Sequence, residues 1–202
     1  MRRIAVDRPD ASSRLRHVLS RGGVAVVPTD TLYGLSAAMS SRSGYDRIAS
    51  IKQSGTDRRF LYLANDIGMV ERYIDGWGCA SRQSLDAVWP APFTAVLRSG
   101  DRCPSWVGKT IALRVPRHPF VRSVIEALGE PIVSTSANEK GEPPLEDLDA
   151  IVSRFGARVD LIVDAGVLIG RMPSTLVDFT GEEPVVLRVG DYLWGGMGKP
   201  SK

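Results

Sequence analysis

The sequence predicts an α/β fold, a single domain built on a mixed β-sheet. Three observations carry that prediction. Short β-branched runs alternate with stretches of helical periodicity through most of the chain, which brings strands and crossover helices into one sheet. Toward the C-terminus the strand-like runs follow one another closely, so part of the sheet must be antiparallel. At 202 residues and 43% hydrophobic content, the chain can bury the core of one ordinary domain.

The elements follow in order. Between Ala11 and Arg21 the apolar residues Leu15, Val18 and Leu19 fall at helical spacing, and Gly22-Gly23 end the helix. The β-branched run Val24–Val27, closed by Pro28, is a buried strand. Thr29-Asp30-Thr31-Leu32-Tyr33-Gly34 then form a turn that carries three hydroxyls and one carboxylate. Gly44 to Gln53 is the second helix, with Tyr45, Ile48, Ala49 and Ile51 on its apolar side. Phe60–Ala64 is a strand, and Asn65-Asp66 cap a helix bearing Ile67, Val70 and Ile74. Phe93–Leu97 and Ile111–Val115 are strands. Pro119–Leu128 is a helix stopped by Gly129 and followed at once by strand Ile132–Ser134. Leu145–Phe155 is the last helix, and Leu161–Val163, Leu176–Phe179 and Val185–Val189 close as strands. From residue 191 the chain is Gly-rich and expected to be loose, which sets a domain of residues 1–190 and a tail of 191–202.

Composition excludes several classes. No apolar run is long enough to span a bilayer, and the N-terminus has no apolar segment behind Arg2-Arg3, so neither membrane span nor signal peptide is expected. Cys79 and Cys103 form neither a disulfide framework nor a metal-ligand spacing, which suits a reducing, cytoplasmic setting. A net charge of +3 permits nucleotide or RNA binding without requiring it. There is no P-loop and no GxGxxG after a strand. His17 lies in a surface helix and His118 before a helix-opening proline, so no metal site is expected, and the serines have no plausible His partner for a triad.

What remains is a set of hydroxyls, an amide and cations at strand ends. In open α/β sheets ligands bind beside the carboxyl ends of strands. Thr31 follows the Val24–Val27 strand, Ser134-Thr135-Ser136-Ala137-Asn138 follows Pro131-Ile132-Val133, Ser174-Thr175 precedes Leu176-Val177-Asp178, and Arg188 ends Val185-Val186-Leu187. These residues also suit local turn bonding. An inventory of this kind serves positioning and charge neutralisation rather than covalent catalysis.

The segments PTDTLYGL, WPAPFTAVL, IALRVPRHP, GEPIVSTSAN, and PSTLVDFT with LRVG together resemble the YrdC/YciO family, whose members include threonylcarbamoyl-AMP synthases. The resemblance implies an open, twisted mixed sheet with a concave basic face. It also implies formation of threonylcarbamoyl-AMP and pyrophosphate from L-threonine, bicarbonate and ATP with Mg²⁺. The product would serve tRNA t6A modification through a separate transferase. Residue by residue, it implies that Thr31, Ser134 and Ser174 line the threonine pocket and that Arg114 meets the substrate carboxylate, with a structural ion pair as the alternative for Arg114. Ser136, Asn138 and Arg188 fall on the nucleotide side, and Lys52 and Arg58 in the catalytic segment. Tyr33 and Leu35 are assigned to packing.

This chain departs from the family's usual pattern in several places. The synthases commonly read Lys-Gly-Arg-Pro, whereas here Lys52-Gln53-Ser54-Gly55 places Ser54 where an arginine is expected and Arg58 where an asparagine is expected. Leu63 stands at a common histidine position, Lys140 and Pro144 at serine positions, and Ala91 at a glycine. The 52–60 segment is more similar to the YciO branch. An alternative function is therefore a catalytically weak paralogue that binds double-stranded RNA or tRNA, although only 7% of residues are aromatic and could stack on bases.

Overall fold

The computed structural model describes residues 2–52, 60–139, 142–168 and 170–195. Among them run β1 (Arg2–Ala5), α1 (Ala11–Ser20), β2 (Ala25–Val27), β3 (Gly34–Ala38), α2 (Arg42–Ile51) and β4 (Leu61–Leu63). There follow α3 (Ile67–Glu71), α4 (Arg82–Asp86), β5 (Phe93–Arg98), β6 (Thr110–Arg114), α5 (Pro119–Leu128) and β7 (Ile132–Ser136). The last elements are α6 (Leu148–Phe155), β8 (Leu161–Asp164), β9 (Thr175–Asp178) and β10 (Val185–Arg188). The ten strands form one sheet in the order β1-β8-β2-β3-β7-β4-β6-β5-β9-β10. Pairs β1–β8, β2–β8, β4–β6 and β5–β9 are parallel and the other five antiparallel, so the sheet is mixed as the sequence predicts.

Local chemistry sets the helix ends. Asp66 caps α3 by accepting the Met69 N–H at 2.7 Å. Pro119 opens α5 and Gly129, at φ 81°, closes it in the left-handed region that glycine adopts freely. Helix α6 begins three residues later than the periodicity suggests. Asp147 takes the cap by accepting the Ala150 N–H at 3.1 Å, while the Leu145 N–H is bonded to the Ala137 carbonyl.

Three elements differ from expectation in ways that shape the site. Strand β1 was not expected, and it exists because β8 supplies a parallel edge for it. Strand β3 starts at Gly34, read as the end of a turn, and continues through residues 35–38, for which the sequence suggests no element. Its Gly, Ser and Ala content carries little intrinsic β preference, but it lies between β2 and β7 and all five of its residues are buried. Strand β7 continues to Ser136, so the serines sit in the ladder rather than after it. At the C-terminus, Trp194 lies with its ring centroid 5.0 Å from that of Phe93, and Tyr192 lies 5.4 Å from the same ring. Thr175 Oγ1 donates to the Tyr192 carbonyl at 2.6 Å, so residues up to 194 are fastened to the sheet where the sequence suggests a loose tail.

The register builds the floor of a site. Directly paired residues share a face of the sheet. Ser36 opposes Ser134, Ser134 opposes Leu61, Leu61 opposes Ala112, Ala112 opposes Val96, and Val96 opposes Asp178. By the two-residue alternation, Gly34, Ser136, Arg114, Thr94 and Leu176 lie on that same face. Residues from sequence-distant strands thus reach one surface without any loop having to move them together.

Candidate functional site

A cavity of ≈ 290 Å³ opens over this face, and Thr31, Arg114, Ser134, Ser136, Ser174 and Arg188 all line it. Six of the sequence-predicted residues therefore meet in one place. Lys52 and Asn138 stand immediately behind it, joined to Ser136. Arg58, and with it Ser54, lies outside the described residues.

Thr31 is positioned by its own turn and by Arg114. The buried Thr29 hydroxyl is the centre of that turn: it donates to the Leu32 carbonyl at 2.7 Å and accepts the N–H groups of Thr31 and Leu32 at 3.1 and 3.2 Å. Thr31 Oγ1 lies 3.0 Å from Thr29 Oγ1 and accepts from Arg114 Nη1 at 3.0 Å. The guanidinium of Arg114 also pairs with Asp30 at 3.2 Å, both side chains being more than nine-tenths buried. Burial pushes the Arg114 pKa down from its usual value, and the Asp30 carboxylate opposes that shift. The other carboxylate oxygen, Asp30 Oδ2, accepts the Arg117 N–H at 3.0 Å, which fixes the carboxylate from the other side. Of the two roles the sequence allows Arg114, the ion pair is realised, and its Thr31 bond makes it part of the pocket wall as well. Asp30 was legible only as a turn carboxylate, because nothing in one dimension names an arginine 84 positions away as its partner.

Ser174 and Arg188 form the opposite wall. Ser174 Oγ lies 2.7 Å from Thr94 Oγ1, a buried partner on β5 that sequence reasoning did not single out. Arg188 donates through Nε and Nη2 to the Ser174 carbonyl at 3.0 and 2.8 Å, and through Nη2 to Ser174 Oγ at 3.2 Å. All of these acceptors are neutral. Among the described residues no carboxylate pairs with Arg188, whereas Arg114 has Asp30. The cavity therefore carries the uncompensated charge of Arg188 opposite the hydroxyls of Thr31 and Ser134. Desolvation lowers the Arg188 pKa, and its charge contributes to the lowering at Arg114, so the two cations feel each other across the site.

Ser134 is buried and faces the cavity from β7. Its orientation depends on Gly34 across the ladder: a Cβ at residue 34 would come within 2.7 Å of Ser134 Oγ. The turn after β7 is tied down by Lys52. Its Nζ donates to the Ser136 carbonyl at 2.9 Å and to the Asn138 carbonyl and Oδ1 at 2.6 Å each. Ser136 Oγ donates to the same Oδ1 at 2.5 Å. Lys52 is 2% exposed, so its described bonds give it the work of shaping the Ser136–Asn138 turn. Tyr33, assigned to packing, also bonds: its hydroxyl donates to the Gly166 carbonyl at 2.7 Å and accepts the Ala165 N–H at 2.9 Å, linking the Thr31 turn to the segment that leads to Ser174.

No three His, Cys, Asp or Glu side chains among the described residues converge as a metal site, and no helix among them is long and apolar enough to cross a membrane.

Comparison with known proteins places this geometry. The Sua5/YciO/YrdC family pattern, described as "Telomere recombination", matches residues 17–190, and the chain belongs to that family. It is 33% identical over 178 residues to the protein YciO of Escherichia coli K12, covering 86% of this chain and 85% of that one. The crystal structure of E. coli YciO superposes with a TM-score of 0.84 at 30% identity, over 94% of this chain and 95% of YciO. A threonylcarbamoyl-AMP synthase of Marinobacter nauticus is 33% identical over 173 residues, covering 83% of this chain and 91% of the synthase. The crystal structure of P. abyssi Sua5 complexed with L-threonine superposes with a TM-score of 0.85 at 26% identity, over 94% of this chain. The chain spans 58% of the length of that Sua5.

Proposed function

We infer that this member of the Sua5/YciO/YrdC family is a threonylcarbamoyl-AMP synthase, a transferase that forms its product and pyrophosphate from L-threonine, bicarbonate and ATP. The observation that carries the reading is the meeting, in one cavity of ≈ 290 Å³, of Thr31, Ser134, Ser174 and an Arg188 that has no carboxylate partner among the described residues. That volume suits a small polar metabolite, at the lower end of the roughly 300–1,000 Å³ of ligand pockets. Hydroxyls meet an amino acid's ammonium and hydroxyl groups, and the cation neutralises negative charge on the nucleotide side. A relative of the same fold holding L-threonine supports the choice of amino acid.

On this reading the substrates supply the nucleophile. The threonine amine attacks the carbonyl carbon of bicarbonate, the C–OH bond breaks and water leaves with one amine proton to give the carbamate, and a carbamate oxygen then attacks the α-phosphorus of ATP as the bond to the β-phosphate breaks and pyrophosphate leaves. The protein's part is alignment and charge neutralisation. Ser136 and Asn138, held by Lys52, present polar groups on the nucleotide side, and Arg188 faces the charge from the opposite wall. Mg²⁺ enters with ATP as part of the substrate. The setting we propose is cytoplasmic, where Cys79 and Cys103 remain thiols. The product is passed to a separate transferase acting on tRNA.

Incubation with ATP, L-threonine, bicarbonate and Mg²⁺ tests the reading. Pyrophosphate release that requires threonine and bicarbonate is the expected result. Retention of tRNA or double-stranded RNA without turnover overturns it in favour of an RNA-binding YciO-type role.

A further inference from the structure

Ser36 is an anomaly of the floor. It is fully buried, and its Oγ has no hydrogen-bond partner among the described residues. A buried hydroxyl left unpaired is destabilising, and native proteins keep few of them. Apolar residues of the same strand, Leu35, Ala37 and Ala38, show that the position could have been filled without that cost. Retaining a hydroxyl there calls for a partner within reach of a side-chain rotation.

The nearest polar group on the same face is the pocket serine. Ser36 and Ser134 are directly opposed in the antiparallel β3–β7 ladder. Such pairs hold their Cβ atoms about 4.5–5.5 Å apart, within reach of a serine–serine hydrogen bond after a rotation about one χ1. Both hydroxyls look into the space that glycine leaves open at position 34. The vacant Cβ site there lies 2.7 Å from Ser134 Oγ and 3.8 Å from Ser36 Oγ. Ser134 Oγ makes no hydrogen bond to another described side chain or backbone group, so it too is uncommitted while it faces the cavity.

We propose that Ser36 is a positioning residue of the amino-acid pocket: on ligand binding its O–H donates to Ser134 Oγ, and Ser134 donates its own proton to the ligand. A hydroxyl that accepts one hydrogen bond becomes a stronger donor in the next, because each bond polarises its neighbour in a poorly solvated site. Ser136, two residues along β7, cannot do this from its place, since its Oγ is already committed to Asn138 at 2.5 Å. The inference rests on the cavity taking an amino acid. It goes beyond that reading by giving the pocket a buried second hydroxyl that never touches the substrate.

Calorimetric titration with L-threonine, alongside thermal unfolding without ligand, tests it on four proteins: wild type, Ser36→Ala, Ser134→Ala and the double variant. Ser36→Ala should melt higher than wild type, because it deletes an unpaired buried hydroxyl, and yet bind threonine roughly threefold to tenfold more weakly. In the Ser134→Ala background the Ser36 substitution should weaken binding no further, since the relay is already broken. Unchanged affinity in Ser36→Ala overturns the relay, and so do losses that simply multiply in the double variant or a lowered melting temperature that accompanies the weaker binding. A wild type that fails to bind threonine overturns the amino-acid reading itself, and the relay with it.

Discussion

Replacing Lys52 by methionine separates two roles that the sequence could not. The methionine side chain keeps most of the buried stem, so little cavity is created and the perturbation is confined to the loss of the amino group. In the folded protein that group donates to the Ser136 carbonyl at 2.9 Å and to the Asn138 carbonyl and Oδ1 at 2.6 Å each. Hydrogen bonds from a charged donor contribute roughly 1.5–3 kcal/mol apiece. The three share one cation and two acceptors belong to one residue, so they do not add, and a total loss of about 3 kcal/mol is expected. Urea unfolding of the unliganded proteins measures it as a lower midpoint at unchanged slope. Nucleotide affinity should fall in parallel, because Ser136 and Asn138 lose their support. A Lys52→Met protein as stable as wild type to within about 1 kcal/mol, binding nucleotide normally but not turning over, would refute the reasoning. Lys52 would then act on the substrate rather than on the turn.

Other outcomes follow from the same geometry. Asp30→Asn removes the charge partner of the buried Arg114 and should cost about 3 kcal/mol in urea unfolding, with little change on adding salt because the pair is shielded from solvent; a loss that vanishes in 0.5 M salt would show the pair to be solvated, by the roughly 5 Å screening length there. Gly34→Ala drives a methyl to within 2.7 Å of Ser134 Oγ; it should turn that hydroxyl away and weaken threonine binding roughly tenfold in calorimetry with a smaller change in stability, and unaltered affinity would show that Ser134 does not touch the ligand. Burial pushes the Cys103 thiol up to about 11 from a usual value of 9.0. Its alkylation by iodoacetamide should therefore be slow at pH 8 and accelerate only above pH 10. Because the folded pKa is the raised one, the stability it contributes is complete below about pH 9 and is lost as the pH rises toward 11, which urea unfolding across that window measures.

Much of this protein was legible in one dimension. The β-branched run Val24–Val27, the Asp66 cap, the Pro119 start and Gly129 stop of α5, and the mixed character of the sheet all rest on local residue chemistry. So do the candidate positions Thr31, Ser134, Ser136, Ser174 and Arg188, because polar residues at the ends of apolar strands stand out against their neighbours. Pairing decided the rest. Gly34–Ala38 has no intrinsic strand preference and became a central strand only because β2 and β7 offered it two ladders. Asp30 and Arg114, Thr94 and Ser174, and Lys52 and Asn138 are partners across 80 or more residues, and a composition pattern carries no information on which of many possible partners a side chain will meet. The role of each site residue depends on that choice: Arg114 is neutralised because Asp30 folds against it, and Arg188 keeps its charge because, among the described residues, its bonds are to neutral Ser174 atoms. Sequence determines which chemical groups are present and on which strands they ride, while the register of the sheet determines which of them face each other, and an electrostatic role exists only between groups that do.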